Sequence, residues 1–575
     1  MSSADIIYEK VHFGHDPKWS IRLRPEEGGG LFCLACVVEI IQADEIAYVR
    51  KSFALSGVSG MLKRSAGALK ELLRQDHRVT LHFIITLIGM LQTVEDLFTV
   101  EKVDQVLVQL LLEFQNELPL HFVLDEIHKQ LGDMFNVTRF RSMFIFLGNL
   151  LKTVPNVAHS LMTQYVPLLD HLCSAWLYPD EALKTSLVFI WLQLLGTSGD
   201  AAAQSLPVVI RDRVCRLLLQ TLQTFASAGS GQLIKNCAGL LWQLVRLDGA
   251  VPVLMNSSGS QVICDENQDS LANNSQILVQ NQEQQPADHC LLPLLLKTLL
   301  LSGDETLQVT SAKCIAAILV HSPSQYCSVF IKADLPVFLF DRLACCSSEM
   351  LLRFIYFCLL LLTEDPLLFS QCHTVYGIES LVRSLKEASN LTNLDVPKQG
   401  FLLLTEILER QPPSVHLFPS GSAFGAVSEV LLAGVSSSCL SVATQAISAT
   451  TALFGLNHQP SPVQYKEIIG LIETITSKFP ELLLPSSTHR RNTGSLRRSD
   501  PNSQTFRSQE YLLKVLVCFQ AACRLAEECA SEPFLMKNPF TSPYKHKCTD
   551  SLESLCQCLL RCCDSVWIPT VLRFC

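Results

Sequence analysis

The fold of this chain is decided by three apolar segments between residues 290 and 386. They read LPLLLKTLLL at 292–301, LPVFLFDRL at 335–343 and IESLVRSL at 378–385. The segments begin at residues 292, 335 and 378, so they recur every 43 residues. A period of about 40–47 residues built from two or three helices is typical of armadillo and HEAT proteins. The spacing therefore predicts an all-α, armadillo/HEAT-like α-solenoid.

Apolar spacing elsewhere supports helices. The run Ala312–Val320 ends at Pro323, and the run Leu351–Leu362 ends at Pro366, which repeats the same step. In Val103–Phe114 the apolar residues recur at i, i+3, i+4 and i+7, which is the helical spacing. Alternating polar and apolar residues, the signal of a strand, are scarce. We therefore expect helices through most of the chain.

Changes in composition divide the chain into six segments. They are a flexible N-terminal segment (1–30), degenerate helical repeats (31–255), a polar acidic loop insertion (256–289), regular armadillo-like repeats (290–485), a basic Ser/Thr-rich linker (486–509) and C-terminal helices (510–575). The first insertion has five acids and no Lys or Arg, and the second has nine Ser or Thr, five Arg and one acid. Because neither can bury enough apolar surface, both are predicted to be disordered.

The overall composition excludes several classes of protein. The chain has 575 residues, 48% hydrophobic, and a net charge of −9, which argues against attraction of the whole protein to nucleic acid. No apolar run reaches the roughly 20 residues of a membrane-spanning helix, so no membrane contact is expected. Most of the 23 cysteines lie among apolar residues, as do Cys237, Cys314 and Cys358. Without a visible signal peptide, this indicates reduced, buried thiols in the cytosol or nucleus.

Two groups of cysteines are candidates for metal binding. Cys33 and Cys36 form a C-x-x-C pair, but they lie in an apolar run with no second pair nearby, so we expect them to pack in a helix. The densest group, which matches no zinc-finger spacing, is His546, Cys548, Cys556, Cys558, Cys562 and Cys563. It is interpreted as a Cys-rich core helix. The prediction is therefore no metal ligands, no cofactor site and no cofactor.

No combination of residues indicates catalysis, and the chain is predicted not to be an enzyme. Gly57-Val58-Ser59-Gly60 lacks the last glycine of a nucleophile elbow and has no preceding strand. The basic segment Arg490–Ser499 leaves three interpretations open. It is a plain linker, a loop whose Thr493 or Ser499 is phosphorylated beside arginines, or a nucleic-acid contact that lacks interleaved aromatic residues.

Taken whole, the chain resembles the meiosis inhibitor protein 1 family, which comprises large armadillo-like proteins of vertebrate germ cells. The resemblance rests on the segments Val154–Leu161 and Gln232–Trp242 and on the central repeats through Leu385. Family members are longer, and the chain ends in the apolar stretch Val566–Cys575 where a solenoid needs a polar cap. The chain is therefore expected to be a shorter form or fragment of a longer protein.

The resemblance implies a non-enzymatic role in meiosis I. Such a protein supports programmed DNA double-strand breaks and, through them, pairing and synapsis of homologous chromosomes. It would work in the nucleus, on chromosomes, with other break-forming proteins as partners, although the cytosol stays open. Without the resemblance, two alternatives remain: a general protein-interaction scaffold, which the acidic charge favours, and a repeat protein that binds nucleic acid directly.

Overall fold

The structure is a computed structural model. It describes residues 15–22, 30–114, 117–132, 140–154, 156–197, 205–225, 229–257, 290–346, 348–371, 374–412, 417–418, 421–455, 465–478 and 501–531. These residues are almost entirely helical, so the predicted all-α solenoid is confirmed. Most of the predicted disordered insertions, residues 258–289 and 486–500, lie outside the described residues, as do residues 532–575 with their cysteine group.

The chain divides into two compact units, residues 1–295 and 296–575. The first unit opens with a short antiparallel pair of strands, β1 (Ser20–Arg22) and β2 (Leu31–Cys33). Its helices are α1 (Leu34–Gln42), α2 (Tyr48–Arg64), α3 (Ala66–Arg74), α4 (His77–Thr93), α5 (Leu97–Phe114), α6 (Glu117–Gly132), α7 (Arg141–Thr153), α8 (Val157–Gln164), α9 (Val166–Trp176), α10 (Glu181–Thr197), α11 (Val208–Phe225), α12 (Gly231–Val245) and α13 (Ala250–Asn256).

The helices after residue 290 follow the predicted register. They are α14 (Leu291–Leu300), α15 (Glu305–His321), α16 (Pro323–Lys332), α17 (Leu335–Leu343), α18 (Glu349–Leu362), α19 (Leu367–Gln371), α20 (Thr374–Ala388), α21 (Asp395–Arg410), α22 (Gly421–Val435), α23 (Leu440–Leu453), α24 (Tyr465–Ser477) and α25 (Pro501–Ser531). Helices α16, α17 and α18 form one three-helix repeat, and α19, α20 and α21 form the next. Three helices per repeat is the armadillo arrangement.

Each unit is built on a ladder of long helices that pack side by side. In the first unit the ladder is α2, α5, α7, α10 and α12, and in the second it is α15, α18, α21, α23 and α25. These helices are buried on several sides, and they carry many of the largest buried side chains, such as Trp191 and Phe401. A helix between two neighbours in a stack needs apolar residues on more than one face.

Hydrogen bonds between successive repeats join residues that are one sequence period apart. Ser348 Oγ donates to Glu305 Oε1 at 2.5 Å, and Thr392 Oγ1 donates to Glu349 Oε1 at 3.4 Å. Both pairs are 43 residues apart. Ser348 also caps α18, because its Oγ accepts from the backbone N–H of Leu351 at 3.3 Å. The 43-residue step predicted from the sequence is thus the separation along the chain of the two residues that each of these hydrogen bonds joins.

A residue in the left-handed backbone conformation stands immediately before three of the helices. Asn156 (φ 67°), Gly249 (φ 74°) and Asp334 (φ 55°) stand immediately before α8, α13 and α17. Glycine adopts this conformation without strain, and Asn and Asp are the other residues that visit it most readily. The shared backbone conformation of these three residues becomes visible only in the structure.

The structure differs from the predictions at three places. Residues predicted as a flexible lead-in include the 3-10 turn Pro17–Trp19 and strand β1, because Trp19 is buried and Ile21 pairs with Phe32. Residues 31–33, predicted as helix, form β2 instead. Residues 501–509, predicted as linker, begin α25, with a proline at its first position and Ser508 buried.

Candidate functional site

A groove runs across four helices of the first-unit ladder, α5, α7, α10 and α12. It is formed by two adjoining cavities of about 780 and 610 Å³. The first lies over α5 and α7, and the second lies over α7, α10 and the start of α12. Arg141 and Ile145 line both cavities, so the two are continuous along the ladder. We call this surface the ladder groove.

Close helix packing sets the floor of the ladder groove. A Cβ at Gly148 on α7 would lie 2.4 Å from the ring of Phe189 on α10, so only glycine permits this approach. A Cβ at Gly239 on α12 would lie 3.2 Å from Leu192 on α10. Small residues at both contacts let α10 sit tightly between its neighbours. The groove side chains are therefore held on rigid, closely packed helices.

Five of the polar side chains that line the ladder groove are amides. Asn149 Nδ2 donates to Asp104 Oδ2 at 2.6 Å, and Gln232 Nε2 donates to Asn236 Oδ1 at 2.9 Å. Asn236 Nδ2 in turn donates to the backbone carbonyl of Thr185 at 3.4 Å. An amide carries both a donor and an acceptor, as a peptide backbone does. The groove can therefore exchange hydrogen bonds with an extended polypeptide.

Asp104 is a buried acid of the ladder groove whose pKa is shifted well above its ordinary value. It is 8% exposed, and its Oδ1 atom has no hydrogen-bond partner among the described residues. Desolvation raises the pKa of Asp104 to about 6, against the hydrogen bond from Asn149, which lowers it. A buried acceptor without a donor costs free energy. A ligand that brings a donor to Oδ1 would remove that cost.

Apolar and charged groups complete the ladder groove. Leu97 is 80% exposed at one end, and Ile145 is 37% exposed where the cavities meet. Glu95 and Glu101 lie near Leu97, and exposed Arg141 lies beside Ile145. A groove of mixed charge with exposed apolar side chains suits a polypeptide better than the uniformly negative backbone of a nucleic acid.

The ladder groove was not predicted from the sequence. Asp104 lies three residues before Leu107, on the apolar face of α5. An acid on that apolar face was the sequence signal that could have indicated the groove. The candidate sites that the sequence suggested lie elsewhere in the chain. Ser59 lies in mid-helix and donates to Gln109 Oε1 at 3.3 Å, so it is not on a nucleophile elbow. Arg490–Ser499 and Cys548–Cys563 lie outside the described residues.

The cysteines divide into two kinds. Cys237, Cys314 and Cys358 are buried and free, as expected, and burial raises the pKa of each thiol. Cys33 and Cys36 are different. They were expected inside a packed helix, but Cys33 ends β2 and is half-buried, while Cys36 is exposed in the first turn of α1.

Ladders of three-helix repeats and a groove along one ladder define an armadillo-like helical-repeat protein. No described helix combines the length and the apolar composition needed to cross a membrane. The model of the meiosis inhibitor protein 1 N-terminal domain matches residues 32–575. The chain therefore belongs to the meiosis inhibitor protein 1 family, as the sequence resemblance indicated.

The chain is similar in sequence to curated relatives and in fold to solved structures. It is 38% identical to human meiosis inhibitor protein 1 over 574 residues, which are 99% of this chain and 42% of the human protein. It is 37% identical to the mouse protein, with 99% and 43% covered. The chain thus spans less than half the length of these relatives. Among solved structures, Kap121p bound to RanGTP is 11% identical, with a TM-score of 0.47, and the match covers 94% of this chain and 56% of that one.

Proposed function

We propose that this chain is a non-enzymatic scaffold for the formation of programmed DNA double-strand breaks in meiosis I, and hence for pairing and synapsis of homologous chromosomes. Its membership of the meiosis inhibitor protein 1 family supports a meiotic role. The observation that supports a scaffold is the ladder groove, a preformed surface that runs over four rigid helices. The chain works in the nucleus, in association with chromosomes.

The partner is a polypeptide segment of another break-forming protein. Its apolar side chains contact Leu97 and Ile145, and its backbone exchanges hydrogen bonds with the amides of Asn149 and Asn236. A donor on the partner, such as a Lys, Arg or backbone N–H, meets the unpartnered Oδ1 of Asp104. Repeat proteins bind extended partners along such surfaces.

A replacement experiment in germ cells tests both parts of this proposal. The gene is replaced by the wild type, by a null allele, by Ile145→Glu, and by Val209→Glu as the matched control. Val209 is 79% exposed on α11 and lines neither groove cavity. We expect few break-repair foci and unsynapsed chromosomes in the null and in Ile145→Glu, with normal counts in Val209→Glu at equal protein levels.

The outcomes separate the two parts. Normal breaks and synapsis in the null would contradict the meiotic role itself. A defective null with a normal Ile145→Glu line would retain the meiotic role and remove the ladder groove as its binding surface. Immunostaining of the tagged wild type on spread chromosomes tests the location, and an exclusively cytosolic signal would contradict it.

A further inference from the structure

Three metal-ligating side chains converge at the N-terminal end of the first unit. His15 Nδ1 lies 3.4 Å from Cys36 Sγ and 3.7 Å from Cys33 Sγ. The three possible ligand atoms all lie within 4.8 Å of one another. The other ring nitrogen of His15, Nε2, lies 2.9 Å from Glu39 Oε2. We call these three residues the His–Cys–Cys cluster.

The short strand pair creates the His–Cys–Cys cluster. Cys33 is the last residue of β2 and the N-cap of α1, and Cys36 lies in the first turn of that helix. β1 pairs with β2 so that Ser20 stands opposite Cys33. The turn Pro17–Trp19 before β1 then reverses the direction of the chain. His15 therefore lies close to the two sulfurs, although it is 18 and 21 residues from Cys33 and Cys36 in the sequence.

The distances agree with tetrahedral zinc. Zn–S bonds of about 2.3 Å and Zn–N bonds of about 2.0–2.1 Å at tetrahedral angles place nitrogen and sulfur about 3.6 Å apart. The two observed separations, 3.4 and 3.7 Å, lie on either side of that value. Glu39 holds the remaining ring nitrogen, and a carboxylate in that position is the common partner of a histidine that binds zinc.

The surroundings of Cys33 favour its thiolate, the form that binds zinc. Desolvation opposes ionisation of Cys33, but hydrogen bonds from the backbone N–H of Cys36 and from the side chains of His15 and Ser20 lower its pKa to about 6. The start of α1 adds the positive end of the helix dipole. The pKa of Cys36 is raised, first by desolvation and then by the neighbouring Cys33.

We propose that His15, Cys33 and Cys36 bind one Zn²⁺ ion through Nδ1 and two thiolates, with Glu39 orienting His15 and the fourth position open to solvent. Zinc binding releases to solvent the proton of Cys36 and any proton left on Cys33, and two thiolates balance the charge of the ion. The ion joins the turn Pro17–Trp19 and strand β2 to α1. It acts as a clamp on the first layer of the solenoid.

A metal-content experiment on the full chain tests the site. The wild type, Cys33→Ser, Cys36→Ser, His15→Gln and the control Cys345→Ser are purified without added chelator, loaded with Zn²⁺, freed of excess and analysed by mass spectrometry. Cys345 is free and exposed but lies in the second unit. We expect the wild type and Cys345→Ser to hold one more zinc per chain than the three cluster variants. Zinc bound at other sites among the 23 cysteines is common to all samples, so it cancels from this difference.

Three further readouts distinguish ligation from a general effect on folding. Co²⁺ added to the metal-free wild type should give a thiolate-to-metal absorption band that Cys36→Ser weakens and Cys345→Ser keeps. Glu39→Gln should retain the stoichiometry but lose about 10–100-fold in zinc affinity against a competing chelator. A chelator should lower the melting temperature of the wild type and leave that of Cys36→Ser unchanged.

Three results would overturn the zinc site. One is equal zinc content in the wild type and the cluster variants. Another is a cobalt spectrum without a thiolate band that depends on Cys36. The third is a Cys33–Cys36 disulfide in protein isolated under anaerobic conditions, detected by thiol labelling and a mass lower by two hydrogens, since that result would make the pair a redox couple.

Discussion

Asp104 shows how a single buried group links the ladder groove to pH. Its pKa of about 6 lies above the ordinary value of 3.8 because burial disfavours the carboxylate. The folded chain therefore holds a proton that the unfolded chain releases between these two values. As pH rises from about 4 to 6, Asp104 makes the fold progressively less stable, and above about 6 the cost is constant.

Asp104→Asn should remove this dependence, because the amide imitates the protonated acid and stays neutral. We expect the variant to melt at a higher temperature than the wild type at pH 7.5 and to lose that advantage at pH 4.5. The difference amounts to at most about 2–3 kcal/mol. Scanning fluorimetry at both pH values measures it.

Glu101→Gln is the control for Asp104→Asn. Glu101 lies one turn earlier on α5 and is exposed, and its charge contributes less than burial does to the raised pKa of Asp104. Its neutralisation should therefore raise the melting temperature at pH 7.5 by much less than Asp104→Asn does. The other carboxylates are the same in the wild type and in the variants, so their effects on the melting temperature cancel in the comparison. An advantage of Asp104→Asn that is the same at pH 4.5 and 7.5 would refute the proposed cost of its ionisation.

Single residues were the hardest part to predict from the sequence. The spacing of Cys33 and Cys36 was visible, but it was interpreted as two positions on a packed helix. The third member of the cluster, His15, is distant in sequence and reaches the sulfurs only because β1 and β2 pair. A three-residue strand gives almost no periodic signal. The cluster is therefore a product of tertiary structure.

At the scale of elements, the sequence was most informative where the repeats are regular. Leu335-Pro336 was predicted to open a helix, and α17 begins at Leu335. The third segment was less well placed, because α20 begins at Thr374 rather than at Ile378. The short helices α16 and α19 were not predicted. α16 buries only four of its 10 residues, so its apolar pattern is weak, and α19 has 5 residues, which is too short to show an apolar face.

Helix α22 offers a matched pair of glycines that tests how closely the second-unit ladder packs. A Cβ at Gly434 would lie 2.3 Å from Phe401 on α21 and 2.8 Å from Ala446 on α23, whereas a Cβ at Gly425 would meet nothing within 4 Å. Gly434→Ala should cost about 1–3 kcal/mol, because a buried ring and a helix must move apart. Chemical denaturation of the full chain measures the change.

Gly425→Ala makes the same chemical change on the same helix. It should stabilise the chain by about 0.5–1 kcal/mol, because alanine is the better helix former and the site has space. Opposite signs for the two substitutions are the expected outcome. If both stabilise the chain by similar amounts, α22 does not pack as closely on α21 and α23 as the structure shows.

At the scale of the whole molecule, the array explains why the fold was predictable and the binding surface was not. Each repeat contacts mainly its neighbours, so one 43-residue period carries most of the architecture. The ladder groove lies in the first unit, where helix starts are less evenly spaced. Its residues come from four helices, and no local pattern of sequence unites Asp104, Ile145 and Asn236.

The balance of charge leads to a prediction about DNA. The chain has a net charge of −9, and Glu95, Glu101 and Asp104 lie in the ladder groove. Neutralising phosphates needs a basic surface, and each phosphate contact steepens the dependence on salt. We expect the full chain to bind a duplex of about 30 base pairs no more tightly than roughly 10 µM at physiological salt, a value typical of weak non-specific binding. Fluorescence anisotropy from low to physiological salt measures affinity and slope together.

The basic segment supplies the control for that measurement. Arg490, Arg491, Arg497 and Arg498 are the densest cations of the sequence, and replacing all four by alanine removes them without touching the described helices. Weak binding at low salt that the quadruple variant loses would assign residual DNA contact to this segment. Submicromolar binding at physiological salt, with a salt dependence that corresponds to several phosphate contacts, would favour a nucleic-acid-binding repeat protein over the scaffold. The scaffold requires that partners, rather than the chain itself, bring it to DNA.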